Sequence, residues 1–229
     1  MNAAGQHLPY IYPDAISRLE NEATYSAIMQ AVKKHIPAGA AVLDVGSGRG
    51  EIMEKVAAAG YRANGCDLDK ECVRMSSRFG EVVELDIAEI DAGSFSGNFE
   101  CVILSHVLEH MPNPRDLIMR LAGISNRYLI VSVPNPSYTH LLARTLSGRI
   151  DYANRRHLCS WDWFHFRTFI ELSCGLEVLE YFPDSVAFPL PLKGRLFLER
   201  LGLLGPLETR LLKRLLPRFC RSITAVISV

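Results

Sequence analysis

Two apolar runs, Phe99 to Ser105 (F-E-C-V-I-L-S) and Tyr128 to Val133 (Y-L-I-V-S-V), constrain this chain more than any other feature. Near-continuous apolar runs of that length suit central parallel strands covered on both faces. Upstream, strand-like and helix-like segments alternate. Ala41 to Val45, Arg62 to Cys66 and Glu81 to Leu85 read as strands, with helices over Glu51 to Ala59 and Asp69 to Arg78 between them. Strand, helix, strand at this spacing predicts an α/β fold with a doubly wound sheet.

Past Pro134 the pattern loosens. Ser137 to Ser147 suggests a loop and a helix, and a polar link, Gly148 to His157, precedes a helix from Trp161 to about Leu172, with Ser160 as its N-cap and Asp162 in its first turn. Leu176 to Phe182 and Ser222 to Val229 read as the last two strands, with a Pro- and Leu-rich insertion, residues 183–221, between them. Because a strand follows the insertion, residues 1–229 are expected to form one domain: a helical cover over 1–40, one half over 41–134 and a second over 135–229.

With 229 residues, 48 % apolar and 22 % charged, the chain has the composition of one soluble domain with a sizeable core. Its net charge of zero argues against a general nucleic-acid binder. That zero hides an imbalance. Residues 193–221 hold eight basic groups against Glu199 and Glu208, a local +6, which leaves −6 for the remainder. Met1 to Tyr12 shows no leader pattern and no apolar run approaches the roughly 18 residues of a membrane span, so the cytoplasm is the expected location. Six cysteines without C-x-x-C spacing are expected to be reduced and mostly packed in the core.

Val42-Leu-Asp-Val-Gly46-Ser-Gly48-Arg-Gly50 is a strand entering a G-x-G-x-G turn, where backbone can approach a ligand at a helix N-terminus. A dinucleotide site uses G-x-G-x-x-G around a pyrophosphate; here the third glycine comes one residue early and Asp44 stands beside the loop. A carboxylate repels pyrophosphate and attracts an ammonium or sulfonium, so the loop suits a cationic cofactor. Asp67, at the end of the second strand, is placed to accept from both hydroxyls of a ribose, and Asp86, at the end of the third, from an adenine amino group. Each alone would otherwise read as a turn or cap residue; three in succession define a nucleoside-shaped crevice.

D-V-G-S-G-R-G, G-C-D-L-D, E-L-D-I and F-E-C-V-I-L-S-H-V-L-E-H resemble the successive motifs of class I S-adenosylmethionine-dependent methyltransferases, over about Ala41 to Phe182. The resemblance implies a Rossmann-like seven-stranded, mostly parallel sheet with an antiparallel last strand, helices on both faces and S-adenosyl-L-methionine as cofactor. It places Gly46, Ser47 and Gly48 at the methionine end with Asp44 anchoring the loop, Asp67 and Leu68 at the ribose, Asp86 and Ile87 at the adenine, and Ser105 near the sulfonium. Arg127 to Pro136 and His157-Leu-Cys-Ser160 are similar to methyltransferase-like proteins of methionine biosynthesis, whereas His106-Val-Leu-Glu-His110 is more like the quinone-biosynthesis O-methyltransferases.

The same five residues match H-x-x-E-H, a metallopeptidase zinc pattern that would put His106 and His110 on one helix face beside Glu109. That alternative, a zinc hydrolase, lacks a third ligand in the sequence, and Pro112 interrupts the segment. No metal site is assigned. Methyl transfer from a sulfonium is an in-line displacement that needs positioning and, for a hydroxyl or ammonium acceptor, a base; His106 and His157 are the candidates. Tyr10, Tyr12, Trp161, Trp163 and Phe166 are candidates for an aromatic acceptor wall. The expected acceptor is a small molecule, O-methylated rather than N- or C-methylated, and anionic or lipid-linked in the variant that uses the basic tail. A non-catalytic regulatory partner of another enzyme is the other reading. Within the insertion, Leu207, Leu211, Leu212, Leu215 and Leu216 are expected on one packed helix face opposite Arg210, Lys213 and Arg214, with a peripheral membrane contact through 196–216 as the alternative. A monomer or homodimer is expected.

Overall fold

The computed structural model describes residues 15–95, 97–148, 156–188, 190 and 192–229. Seven strands, β1 (Ala41–Val45), β2 (Arg62–Asp67), β3 (Glu81–Glu84), β4 (Phe99–Ser105), β5 (Ser125–Pro134), β6 (Glu177–Pro183) and β7 (Ser222–Ser228), form one sheet in the order β3-β2-β1-β4-β5-β7-β6. β1 to β5 pair in parallel, and β7 runs antiparallel to both of its neighbours, β5 and β6.

The apolar runs split cleanly between the two faces. Cys101, Ile103, Tyr128 and Ile130 face α1 (Ala15–His35) and α2 (Glu51–Ala58), packing with Ile28, Val32, Met53 and Val56. Val102, Leu104, Leu129 and Val131 face the other way, onto α4 (Pro114–Ile124) and α6 (Trp163–Thr168), through Leu117, Leu121 and Phe166. A strand covered twice has no wet face to keep polar, and burying each Leu or Ile is worth roughly 2 kcal/mol. α3 (Lys70–Ser76) follows β2, and α5 (Thr139–Leu146) follows β5. Chain order reverses between β1 and β4, the place where such sheets open a crevice at the strands' carboxyl ends.

Several expectations change. The α6 helix begins at Trp163, and its N-cap is Asp162, whose carboxylate accepts from the backbone N–H groups of Phe164 and His165; Ser160 caps nothing there. Phe169–Ser173 then continues as a π-helical turn. Trp161 and Phe166 are buried in the core, and Trp163 stacks on Tyr181 at 4.6 Å, so these aromatics are packing rather than an acceptor wall. Tyr10 and Tyr12 lie outside the described residues.

The insertion differs most from its sequence pattern. It contains α7 (Leu192–Arg200) and a helical stretch, 204–215, whose middle is π-wound over Leu207–Leu212. The added residue per turn moves the leucine stripe off the protein: Leu204 and Glu208 are buried, while Leu211, Leu215 and Leu216 are exposed. Arg195 is buried too, its guanidinium bonded to both Glu208 oxygens and to Glu20 of α1. Cys66, Cys101, Cys174 and Cys220 are buried free thiols, as expected. Among the described residues no helix is long and apolar enough to cross a membrane.

Candidate functional site

The site starts from a backbone that only glycine adopts easily. Gly46, Gly48 and Gly50 have φ of 76°, 53° and 88°, so the chain leaving β1 winds left-handed before α2 begins. At Gly46 a Cβ would stand 2.7 Å from Val107 Cγ2, so a side chain is excluded on space as well as on φ. The turn is tied to β2. The backbone N–H groups of Gly46 and Ser47 donate to the Cys66 carbonyl, and that of Gly48 donates to Asp67 Oδ2 at 2.8 Å. Asp69 N–H donates to Asp67 Oδ1 at 2.9 Å. Each Asp67 oxygen keeps a second lone pair, so the carboxylate that shapes the loop can still accept from a ligand.

These elements border a crevice of about 650 Å³ at the carboxyl ends of β1, β2 and β4. Asp44, Gly46, Ser47, Gly48, Asp67, Ile87, Ser105 and His106 all line it. Leu68 and Asp86 do not; the Asp86 side chain is exposed and accepts from Ala88 N–H, capping a short 3-10 turn. Asp44 is 3 % exposed, and its Oδ2 has no partner. Burial, then the negative charges of Glu51 and Asp67, push its carboxyl up to about 8. Ser47 Oγ is buried and unpartnered as well. An orphaned acceptor in an acidic, enclosed corner is what a cationic ligand needs and an anionic one cannot use.

The far wall could not be read from local motifs. Asn21, Thr24 and Tyr25 of α1 and Arg221, just before β7, complete the lining. Arg221 donates to Asn21 Oδ1 at 3.1 Å and lies 3.5 Å from Glu20. Thr24 donates to Asp184 at 2.8 Å. The expected N-terminal cover is the one sequence signal that pointed toward this wall.

A family model described as a methyltransferase domain matches residues 7–182. The chain belongs to that family. The cofactor of this methyltransferase domain is S-adenosylmethionine, and Asp44, Asp67 and the glycine turn are the residues that fit it. A ubiquinone biosynthesis O-methyltransferase of Xanthomonas axonopodis pv. citri is 34 % identical over 94 residues, 38 % of this chain and 39 % of that protein. The chain thus matches about two fifths of the length of such curated relatives. Among solved structures, magnesium protoporphyrin IX methyltransferase from Synechocystis PCC 6803 with bound SAH is similar at a TM-score of 0.60 and 16 % identity, covering 94 % of this chain and 87 % of that one. A SAM-dependent methyltransferase from Archaeoglobus fulgidus gives 0.58 and 17 %, covering 94 % of this chain and all of that one (100 %).

On the acceptor side, this methyltransferase domain gathers three imidazoles around one buried carboxylate. His106 follows β4 with φ of 55°, the only described non-glycine residue with positive φ, a strain typical of functional positions. Its Nε2 is 3.1 Å from Ser222 Oγ, and its Nδ1 is 3.5 Å from Glu109 Oε1. Leu108–His110 is a single 3-10 turn, so His106 and His110 are not an i, i+4 pair on a helix and the metallopeptidase arrangement is absent. His110 lines the crevice, with Nδ1 at 3.1 Å from the Arg156 carbonyl. His157 stands behind it, outside the crevice lining. Glu109 is 1 % exposed; burial raises its carboxyl, but His106, its own backbone N–H and His110 together outweigh that and hold it below the usual value. Burial lowers the His157 imidazole, against the pull of Glu109.

Proposed function

We propose that this protein transfers the methyl group of S-adenosylmethionine to a hydroxyl oxygen of a small molecule. Bound beside Asp44 and Asp67, S-adenosylmethionine would supply the methyl group and be released as S-adenosylhomocysteine, while His106 Nε2 takes the proton that the hydroxyl loses as its oxygen gains the methyl. The observation that carries this reading is the strained His106. Its left-handed backbone at the end of β4 holds the ring in the cofactor crevice, with Glu109 on the Nδ1 side. A carboxylate facing Nδ1 favours the tautomer with a lone pair on Nε2, which Ser222 Oγ at 3.1 Å now meets and which the acceptor hydroxyl would take over. His157 is outside the crevice and takes no part as base. The O-methyltransferase names of the curated relatives support an oxygen acceptor.

Incubation with methyl-labelled S-adenosylmethionine and small-molecule extracts tests this directly. Label in an O-methyl resonance supports it, and label in no small molecule refutes it. His106→Ala is expected to lower turnover about 10²- to 10³-fold while S-adenosylhomocysteine binding is kept. Full turnover in that variant would leave proximity alone as the source of rate.

For its partners we propose a peripheral contact with an anionic lipid surface through 196–216. Phe197, Leu201, Leu203, Leu211 and Leu215 are each more than half exposed there. Arg200, Arg210, Arg214 and Arg218 surround them with no ion pair among the described residues. Exposed leucines interleaved with cations suit a headgroup layer. Co-sedimentation with phosphatidylglycerol vesicles at low salt is expected, and its absence removes the proposal.

A further inference from the structure

The carboxylate of Glu109 is 1 % exposed and makes no hydrogen bond; His106 Nδ1 lies 3.5 Å from its Oε1. Two further imidazoles face it, and for one of them the tautomer is fixed. A carbonyl only accepts, so the 3.1 Å contact between His110 Nδ1 and the Arg156 carbonyl puts the ring proton on Nδ1 and leaves Nε2 as an acceptor. That Nε2 points at Glu109 Oε1 from 4.0 Å. His157 Nε2 approaches the same oxygen, also at 4.0 Å, and the two rings lie 5.0 Å apart at 69°. These separations are held by main chain. Leu158 and Cys159 both donate their N–H groups to the Glu109 carbonyl, at 2.7 and 3.2 Å, which clamps the His157 segment to the 108–110 turn. A carboxylate and the His110 lone pair converging in a buried place repel unless a cation stands between them.

We infer that Glu109, His110 and His157 bind a divalent transition ion, through one carboxylate oxygen and two Nε2 atoms. The ligand atoms all lie within 4.8 Å of one another. Bonds of about 2.0–2.1 Å to zinc need them to close by about half an ångström, a side-chain adjustment. Two imidazoles and a carboxylate are the donor set of open zinc sites, and the Arg156 carbonyl supplies the outer partner that orients a metal-bound imidazole. His157 is the third ligand absent from the five-residue motif, contributed by a segment 47 positions on. Of the three ligands His110 borders the crevice, so an acceptor oxygen held there could reach the ion. There the ion would polarise an acceptor oxygen and ease loss of its proton. That role rests on the proposed methyl transfer; the site itself does not.

Titration of the full chain with Co²⁺ tests the site by its visible d–d absorption. One saturating equivalent, displaced by Zn²⁺, is expected, and His157→Asn should weaken it at least about 100-fold, since losing an outer partner alone costs up to that much. His157→Asp, which keeps a ligand atom, should restore a shifted band. Calorimetry with S-adenosylhomocysteine on the same samples separates the readings. Wild-type protein that binds the nucleoside and gives no saturable Co²⁺ band overturns the metal site, as does a band unchanged in His157→Asn. Co²⁺ binding without nucleoside binding overturns the cofactor reading and leaves the site standing. If His157→Asn does not fold, the wild-type Co²⁺ protein decides: the Nδ1–H of His110 must appear as a hyperfine-shifted, exchangeable proton resonance, and its absence refutes the assignment.

Discussion

The two sides of the crevice are built by different physics. The cofactor side, residues 44–69, is made of backbone. Three left-handed glycines turn the chain, and one carboxylate, Asp67, gathers N–H groups from Gly48 and Asp69. The far side is made of buried charged and polar side chains from distant segments. Arg195 bonds Glu208 and Glu20, Tyr138 donates to Glu20, and Arg221 reaches Asn21 across 200 positions. Backbone geometry leaves a local trace in the sequence. A charge network leaves only scattered residues that no spacing connects.

The contrast predicts separable failures, the largest in stability. Arg195→Ala strands Glu208, which is 1 % exposed, and should cost about 3–5 kcal/mol, read as a lower urea midpoint. The molecules still folded should bind S-adenosylhomocysteine as before; loss of affinity would mean the network shapes the cofactor side too. The double change Arg195→Met with Glu208→Leu should recover most of that stability, because it removes both charges.

A smaller effect, in binding, comes from Asp44. Its carboxyl is raised from 3.8 to about 8, so the folded apo protein holds a proton there that the unfolded chain has released. Apo stability should therefore fall as pH rises from about 4 to 8 and level off above. A sulfonium or ammonium favours the ionised form, so S-adenosylmethionine binding should release a proton at pH 7 and tighten towards pH 8. Asp44→Asn should flatten both profiles and weaken the cofactor about 10- to 100-fold. Calorimetry in buffers of different ionisation enthalpy counts the proton; a count of zero for the wild type contradicts the assignment.

The smallest effect should come from Asp86. Asparagine caps a turn about as well as aspartate, so Asp86→Asn should change stability by less than about 0.5 kcal/mol. Cofactor affinity should stay within about twofold, by the same reasoning that puts the carboxylate outside the crevice. A tenfold loss would restore the adenine role that the sequence suggested.

Legibility followed the same division. β4 was readable to the residue, because double burial removes every polar signal that blurs a strand end. Asp44, the glycine turn, Asp67 and Ser105 were readable because each sits at a strand's carboxyl end in a known order. Asp86 and Leu68 share that order without lining the crevice; the Asp86 carboxylate turns back to cap the 3-10 turn, whose Ile87 does line it. The insertion misled because a leucine stripe counted at 3.6 residues per turn is misplaced by a π-wound segment. His157 had the right chemical type, but only the clamp of its segment on the 108–110 turn reveals what it faces.

The place of β7 has a consequence for how the protein is made. Among the described residues β6 has no strand partner but β7, and β7 slots between β5 and β6. Six strands can leave the ribosome with the sheet still split, β6 waiting apart from the other five until residues 222–228 emerge. Arg221, which lines the crevice, and Ser222, whose Oγ lies 3.1 Å from His106 Nε2, arrive in that same late step. The nascent chain can therefore form its glycine turn before Arg221 closes the crevice, and a ribosome stalled before residue 221 would carry the Asp67 side of the site without the Ser222 contact to His106.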